Sequence, residues 1–135
     1  MTEEEKHNLL RKDLCARFPY NVKLKVKYED DPWTLFVMHQ SEKIYVLGVK
    51  GYPIEVKLTD CQPYLRPMSS MTQEEKQEYQ RITERWMYDS SYSISDSFDW
   101  LNAHHFDYRG LIEKGLAIDA TGLNIYSTYG KRIFG

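Results

Sequence analysis

Three rhythms of apolar and polar positions follow one another along the chain, and each predicts a different kind of element. Between residues 3 and 17, Leu9, Leu10 and Leu14 recur at helical spacing, with Cys15 and Phe18 continuing the same apolar side. The acidic run Glu3–Glu5 favours a helix start, and Pro19 ends the helix by pushing the residue before it out of the helical region. From Val22 the rhythm changes to strict alternation: Val22, Leu24, Val26 and Tyr28 face one way and Lys23, Lys25 and Lys27 the other, which predicts a half-buried strand. Glu29-Asp30-Asp31-Pro32 reads as a turn into a second strand, Trp33–Met38. Gln40-Ser41-Glu42 turns the chain into Ile44–Val49, and Lys50-Gly51-Tyr52-Pro53 turns it again into the alternating Ile54, Val56 and Leu58. Four strands joined by short turns predict an antiparallel meander, either an open sheet or a small SH3-like barrel.

The third rhythm is helical again. Pro63 and Pro67 first bracket Tyr64-Leu65-Arg66, a segment biased to extended backbone that reads as a rigid linker or a peptide-like docking surface. Thr72 followed by Glu75 then forms a capping-box signature, opening a helix to about Met87 with Tyr79, Ile82 and Trp86 along one side. Asp89–Ser97 is a polar connector with the composition of a hinge. Asp96 or Ser95 is positioned to cap a shorter helix through Phe98, Trp100, Leu101 and His104, before Arg109-Gly110 and a turn over Leu111–Lys114. The expected class is α+β: an N-terminal helix, a four-stranded antiparallel meander, two helices and an irregular tail. One domain over residues 1–120 is expected, with residues 121–135 as an irregular tail or an added strand around Leu123–Tyr126.

Composition narrows the function classes. The formal net charge of −2 spread over 135 residues does not imply non-specific binding to nucleic acid or membrane. The acidic start lacks the basic and apolar regions of a signal peptide, and the longest apolar stretches fall far short of the ~20 residues needed to cross a bilayer. Cys15 and Cys61 stand far apart with no Cys-x-x-Cys pair, so they read as reduced, buried thiols of a cytoplasmic protein. The departure from an average chain is aromatic: 11 Tyr, 5 Phe and 3 Trp, 14% of all residues. Tyr52, Tyr64, Tyr88, Tyr92, Tyr108, Tyr126 and Tyr129 all fall outside strongly periodic segments; some must pack onto the core, and others are candidates for stacking on a partner side chain or a nucleobase.

Candidate chemistry gathers between Asp96 and Gly110, where two histidines, three aspartates, an asparagine and an arginine are interleaved with aromatics. Trp100, Asn102, His104, His105, Asp107, Tyr108 and Arg109 are the candidate binding residues. Adjacent His104 and His105 on a helix would point about 100° apart, which does not suit a shared metal, whereas Asn102 and His105 would share a face. No nucleophile set, phosphate loop or dinucleotide fingerprint accompanies them, so no catalytic residue, metal or cofactor is expected. The structural alternative makes Phe98, Leu101 and Phe106 core, leaves Trp100 and Tyr108 half-buried, and ties the histidines and Arg109 to nearby carboxylates and carbonyls. A secondary candidate is the row Lys23, Lys25 and Lys27, which suits phosphate tracking, a solvated face or protection of a sheet edge.

Three stretches carry a resemblance. Residues 13–20 (DLCARFPY), 60–72 (DCQPYLRPMSSMT) and 99–112 (DWLNAHHFDYRGLI) resemble a family of uncharacterised small proteins from gut Bacteroides-group genomes and their bacteriophages. The resemblance implies a cytoplasmic protein of prophage or mobile-element origin that acts by binding, and it carries over no catalytic residue. The expectation is therefore a non-enzymatic accessory protein that contacts a host or phage protein through residues 98–109. Sequestration of a small ligand or signalling nucleotide is the first alternative, and a nucleic-acid-binding module the second. No membrane partner is expected.

Overall fold

In a computed structural model, residues 1–38, 43–48, 51–89 and 93–126 are described, with Trp86 represented by its place in a helix and not by its side chain. Helix α1, Glu3–Arg17, opens on a capping box in which the Thr2 hydroxyl accepts from Glu5 N–H and the Glu5 carboxylate accepts from Thr2 N–H. A single 3-10 turn, Phe18–Tyr20, carries Pro19 and closes on left-handed Asn21. The meander follows as β1 Lys23–Val26, β2 Trp33–Met38, β3 Lys43–Leu47 and β4 Pro53–Lys57, each antiparallel to the next. The remaining strands and α-helices are β5 Cys61–Pro67, α2 Gln73–Tyr88, α3 Ser95–Ala103, β6 Phe106–Asp107 and β7 Ile118–Asp119. The class is α+β, as the pattern predicted, and of the two forms it left open the sheet is the open one.

Strand β5 corrects the reading of residues 63–67 as a linker or docking surface. It pairs antiparallel with β1 and completes the order β4-β3-β2-β1-β5-β6, with β7 also on β5. This places β1 inside the sheet, so its lysines do not protect an edge. Both prolines fit for one reason. Lys27 N–H donates to Asp60 C=O, so even-numbered residues of β5 turn their backbone groups toward β1, while odd-numbered Pro63 and Pro67 turn away.

The main core lies between α1 and the sheet: Leu10 and Leu14 pack with Leu24, Ile44, Val46 and Leu65. A second cluster joins α2 to α3 through Trp100, Leu101 and Phe106, with Tyr79 and Ile82 packed against it. Gly48 is required by close approach, since a Cβ there would stand 2.7–2.9 Å from the Trp33 ring. Several expected orientations are reversed. Cys15 and Phe18 are exposed, and the inward face of α1 is Leu10, Asp13, Leu14 and Arg17. The alternation of β1 stops at Val26, because Tyr28 adopts φ 71° and projects into solvent. Phe98 is exposed, while Leu101 and Phe106 are buried as expected.

The N-terminus of α3 is built differently from the expected cap: Ile94 occupies the cap position without a side-chain bond, and the Asp96 carboxylate accepts from Ser93 N–H. Residues 123–126 form no strand. Tyr92, Tyr129, the turn at Gln40-Ser41-Glu42, Val49, Lys50 and the centre of the Asp89–Ser97 connector lie outside the described residues.

Candidate functional site

The segment richest in chemistry leaves α3 at a sharp corner. Helix α3 stops at Ala103, His104 caps it, and His105 adopts φ 65°. The two histidines therefore do not share a helix, and His105 does not share a face with Asn102. The left-handed step turns His105 inward, where it is almost fully buried, and the chain continues into β6. His105 C=O accepts from Arg66 N–H, fixing this corner to β5.

Each candidate side chain then meets a partner inside the protein. Trp100 is buried, stacked on His104 at 4.1 Å and near Tyr79 at 5.4 Å. Buried Asn102 accepts from the Tyr108 hydroxyl at 2.9 Å. The buried Asp107 carboxylate accepts from Leu111 N–H and Ile112 N–H, both at 2.9 Å, and so caps the turn that follows it. Half-buried His104 lies 3.6 Å from Glu75, which also takes a two-point ion pair from Arg66 at 2.6 and 2.8 Å. Burial, and less so the charge of Arg66, lowers the pKa of His104 against the opposing pull of Glu75 and Glu78. Burial would raise the pKa of Glu75, but hydrogen bonds from Arg66 and Thr72 N–H hold it below the ordinary carboxylate range.

Arg109 belongs to a network the sequence reading missed. Fully buried Asp13 receives Arg17 Nε at 2.8 Å on one oxygen and Arg109 Nη1 at 2.9 Å on the other. Arg17, also fully buried, donates through Nη2 to Phe106 C=O at 2.7 Å. Both guanidinium groups lie over the Tyr108 ring, at 5.3 and 4.6 Å. The i, i+4 spacing of Asp13 and Arg17 was the available signal, but on a helix it reads equally well as a surface pair.

The candidate residues therefore come together mainly as internal scaffold. Trp100, Asn102, His105 and Asp107 are buried, and His104, Tyr108 and Arg109 are half-buried. The exposed apolar side chain of the segment is Phe98 on the outer face of α3, at 43% exposure, and one turn before it Ile94, at the cap position, is 53% exposed. Phe98 leans on Tyr108 at 5.3 Å between ring centres.

The lysine row is largely engaged. Lys23 Nζ donates to the Thr34 hydroxyl and Lys25 Nζ to Glu29 C=O, both at 2.6 Å, leaving Lys27 exposed beside the Tyr28 ring. Among the described residues, no three His, Cys, Asp or Glu side chains are grouped to hold a metal ion, and no helix is long and apolar enough to cross a membrane. Compared with models of protein families, with curated proteins and with solved structures, the chain shows no match.

Proposed function

We propose that this chain is a non-enzymatic accessory protein of a prophage or mobile element, which acts by binding a host protein through the outer face of α3. The observation that carries the reading is the exposed pair Ile94 and Phe98 on a helix whose inner face is rigidly backed. Trp100 and Leu101 anchor that helix, and Tyr108, pinned by Asn102 and faced by two guanidinium groups, supports Phe98 from the side. A pre-ordered aromatic anchor loses little conformational entropy on docking, which is the physical advantage of such a surface. The mobile-element origin is supported by the resemblance of residues 13–20, 60–72 and 99–112.

The buried members of the segment support the face and do not touch the partner in this reading. Direct nucleic-acid binding is disfavoured, because Lys23 and Lys25 spend their amines on internal acceptors. The test is affinity purification from host lysate with the natural sequence and with Ile94→Ala/Phe98→Ala. A specific partner recovered with the first and lost with the folded double variant is expected. Equal recovery with both overturns the proposed face.

A further inference from the structure

The inner edge of β5 changes partner halfway along, and the change leaves a gap that a side chain fills. Even-numbered residues of β5 face β1: Asp60 C=O accepts from Lys27 N–H, and the register pairs Lys25 with Gln62. In an antiparallel ladder the mutually bonded pairs recur every second residue, so the next rung joins Lys23 to Tyr64. Of the two backbone bonds of that rung, the one from Lys23 N–H is bridged by a side chain. Lys23 N–H donates to the Tyr126 hydroxyl at 2.7 Å, and that hydroxyl donates to Tyr64 C=O at 3.0 Å. One rung further on, Arg66 N–H already bonds to His105 C=O, so β6 has replaced β1 on the same edge.

The phenol of Tyr126 therefore sits at the junction of three strands, with one donor and one acceptor of the sheet backbone focused on its oxygen. Its ring stacks face to face on buried His105, 3.7 Å between centres and 13° between planes. Burial raises the pKa of Tyr126, so the hydroxyl keeps the proton it donates. Burial and the charge of Arg17 lower the pKa of His105 to about 3, which keeps its ring neutral at physiological pH. A cavity of about 340 Å³ adjoins the phenol, with Arg66, Ser70, Thr121 and Asn124 among its lining. Buried Arg17, whose charge is felt at both rings, keeps Nη1 without a hydrogen-bond partner among the described residues.

We infer that the gap between β1 and β6 is a binding site for a free hydroxylated planar ring, and that Tyr126 occupies it in cis. The stacking surface, the backbone donor and the backbone acceptor are held by the sheet and by the corner at His105. The occupant alone comes from the chain's C-terminal portion. A free ligand must displace Tyr126, and its polar substituents then extend into the adjoining cavity toward Arg66 and Asn124. This site is separate from the outer face of α3, so either can fail without the other.

The test removes the internal occupant from the full chain and offers its side chain in free form. Tyr126→Ala is expected to bind one molecule of p-cresol, with its melting temperature raised by roughly 4 °C at about ten times the Kd. Toluene, which lacks the hydroxyl, should give a clearly smaller rise, and so should the natural sequence, in which p-cresol must first displace Tyr126. A folded Tyr126→Ala chain indifferent to p-cresol overturns the inference, as does an equal response from the natural sequence.

If Tyr126→Ala does not fold alone, folding restored by p-cresol supports the site, and failure to restore it overturns the inference. Tyr126→Phe gives a second measurement, because it keeps the ring and loses the bridging oxygen. Amide exchange at Lys23 should then accelerate roughly five- to tenfold while Lys25 is unchanged. Unchanged exchange at Lys23 removes the hydroxyl from the ladder, and the inference with it.

Discussion

Two helices of this protein invert the usual rule, each for a different reason. Helix α1 turns Asp13 and Arg17 into the interior, both fully buried, and leaves Cys15 and Phe18 outside. Helix α3 turns Ser97 and Asn102 inward and leaves Ile94 and Phe98 in solvent. The difference lies in what each buried group meets. Asp13 is satisfied by two guanidinium groups, and Arg17 reaches the Phe106 carbonyl as well as Asp13. A charge with that many partners can be buried, and breaking the set is costly because the remaining charge stays inside. The apolar residues on α3 meet no such packing requirement, which leaves them available for the contact proposed above.

The sharpest way to break this comparison is to remove the hub of the buried set. Asp13→Ala leaves Arg17 and Arg109 facing each other without a counter-charge, and should destabilise the fold by about 3–5 kcal/mol. Urea unfolding followed by circular dichroism measures this. The combination Asp13→Leu with Arg17→Met should recover much of the loss, since replacing a buried pair by apolar groups is often close to neutral. A loss below about 1 kcal/mol for Asp13→Ala would mean that the network behaves like a surface pair.

A smaller effect, read by pH, arises at the corner that follows α3. His105 has a folded-state pKa lowered to about 3, mainly by burial and then by the charge of Arg17. Its unfolded value is about 6.5, so below that pH the unfolded chain binds a proton that the folded chain refuses. Folding stability should therefore be insensitive to His105 above pH 7 and fall as the pH drops from about 6.5 toward 3. The loss between pH 7 and 5.5 should be about 1 kcal/mol. His105→Asn, which tolerates the positive φ of this corner, should flatten that part of the profile. Chemical denaturation at a series of pH values provides the check, and an unchanged slope in the variant would assign the acid sensitivity elsewhere.

How much of this was legible follows from the range of the interactions involved. The meander was readable because each turn joins neighbouring strands and alternation sets which face is buried, as in Leu24 and Val26. The capping box at Thr72 and Glu75 was readable because it closes over three residues. Strand β5 was hidden by its two prolines, whose fit depends on which edge of the strand each residue faces. The inward turn of Asp13 and Arg17 depends on Arg109 and the Phe106 carbonyl, 96 and 89 residues away from their respective partners. Tyr126 bonds to Lys23 and Tyr64 across 103 and 62 residues, and no local pattern marks it. Within the segment 98–109 the sequence located an unusual density of polar and aromatic groups. It did not show that His105 leaves the helix with a left-handed backbone and carries the segment inward.

The smallest expected effect on stability is the one that tests the outer face of α3. Ile94 packs into neither buried cluster, and Ile94→Ala should change folding stability by no more than about 0.5 kcal/mol. Among the described residues Phe98 has one ring neighbour, Tyr108, so Phe98→Ala should cost below about 1 kcal/mol. Trp100→Ala on the same helix removes a stacked, buried indole and should cost about 3–5 kcal/mol. Denaturation of the three variants side by side therefore sorts α3 into an inner face that holds the fold and an outer face that the fold does not need. If Phe98→Ala proved as damaging as Trp100→Ala, Phe98 would be part of the scaffold, and its exposure would lose its meaning as a contact surface. If it is nearly neutral, as the geometry requires, Phe98 is free to serve the contact proposed for the outer face of α3.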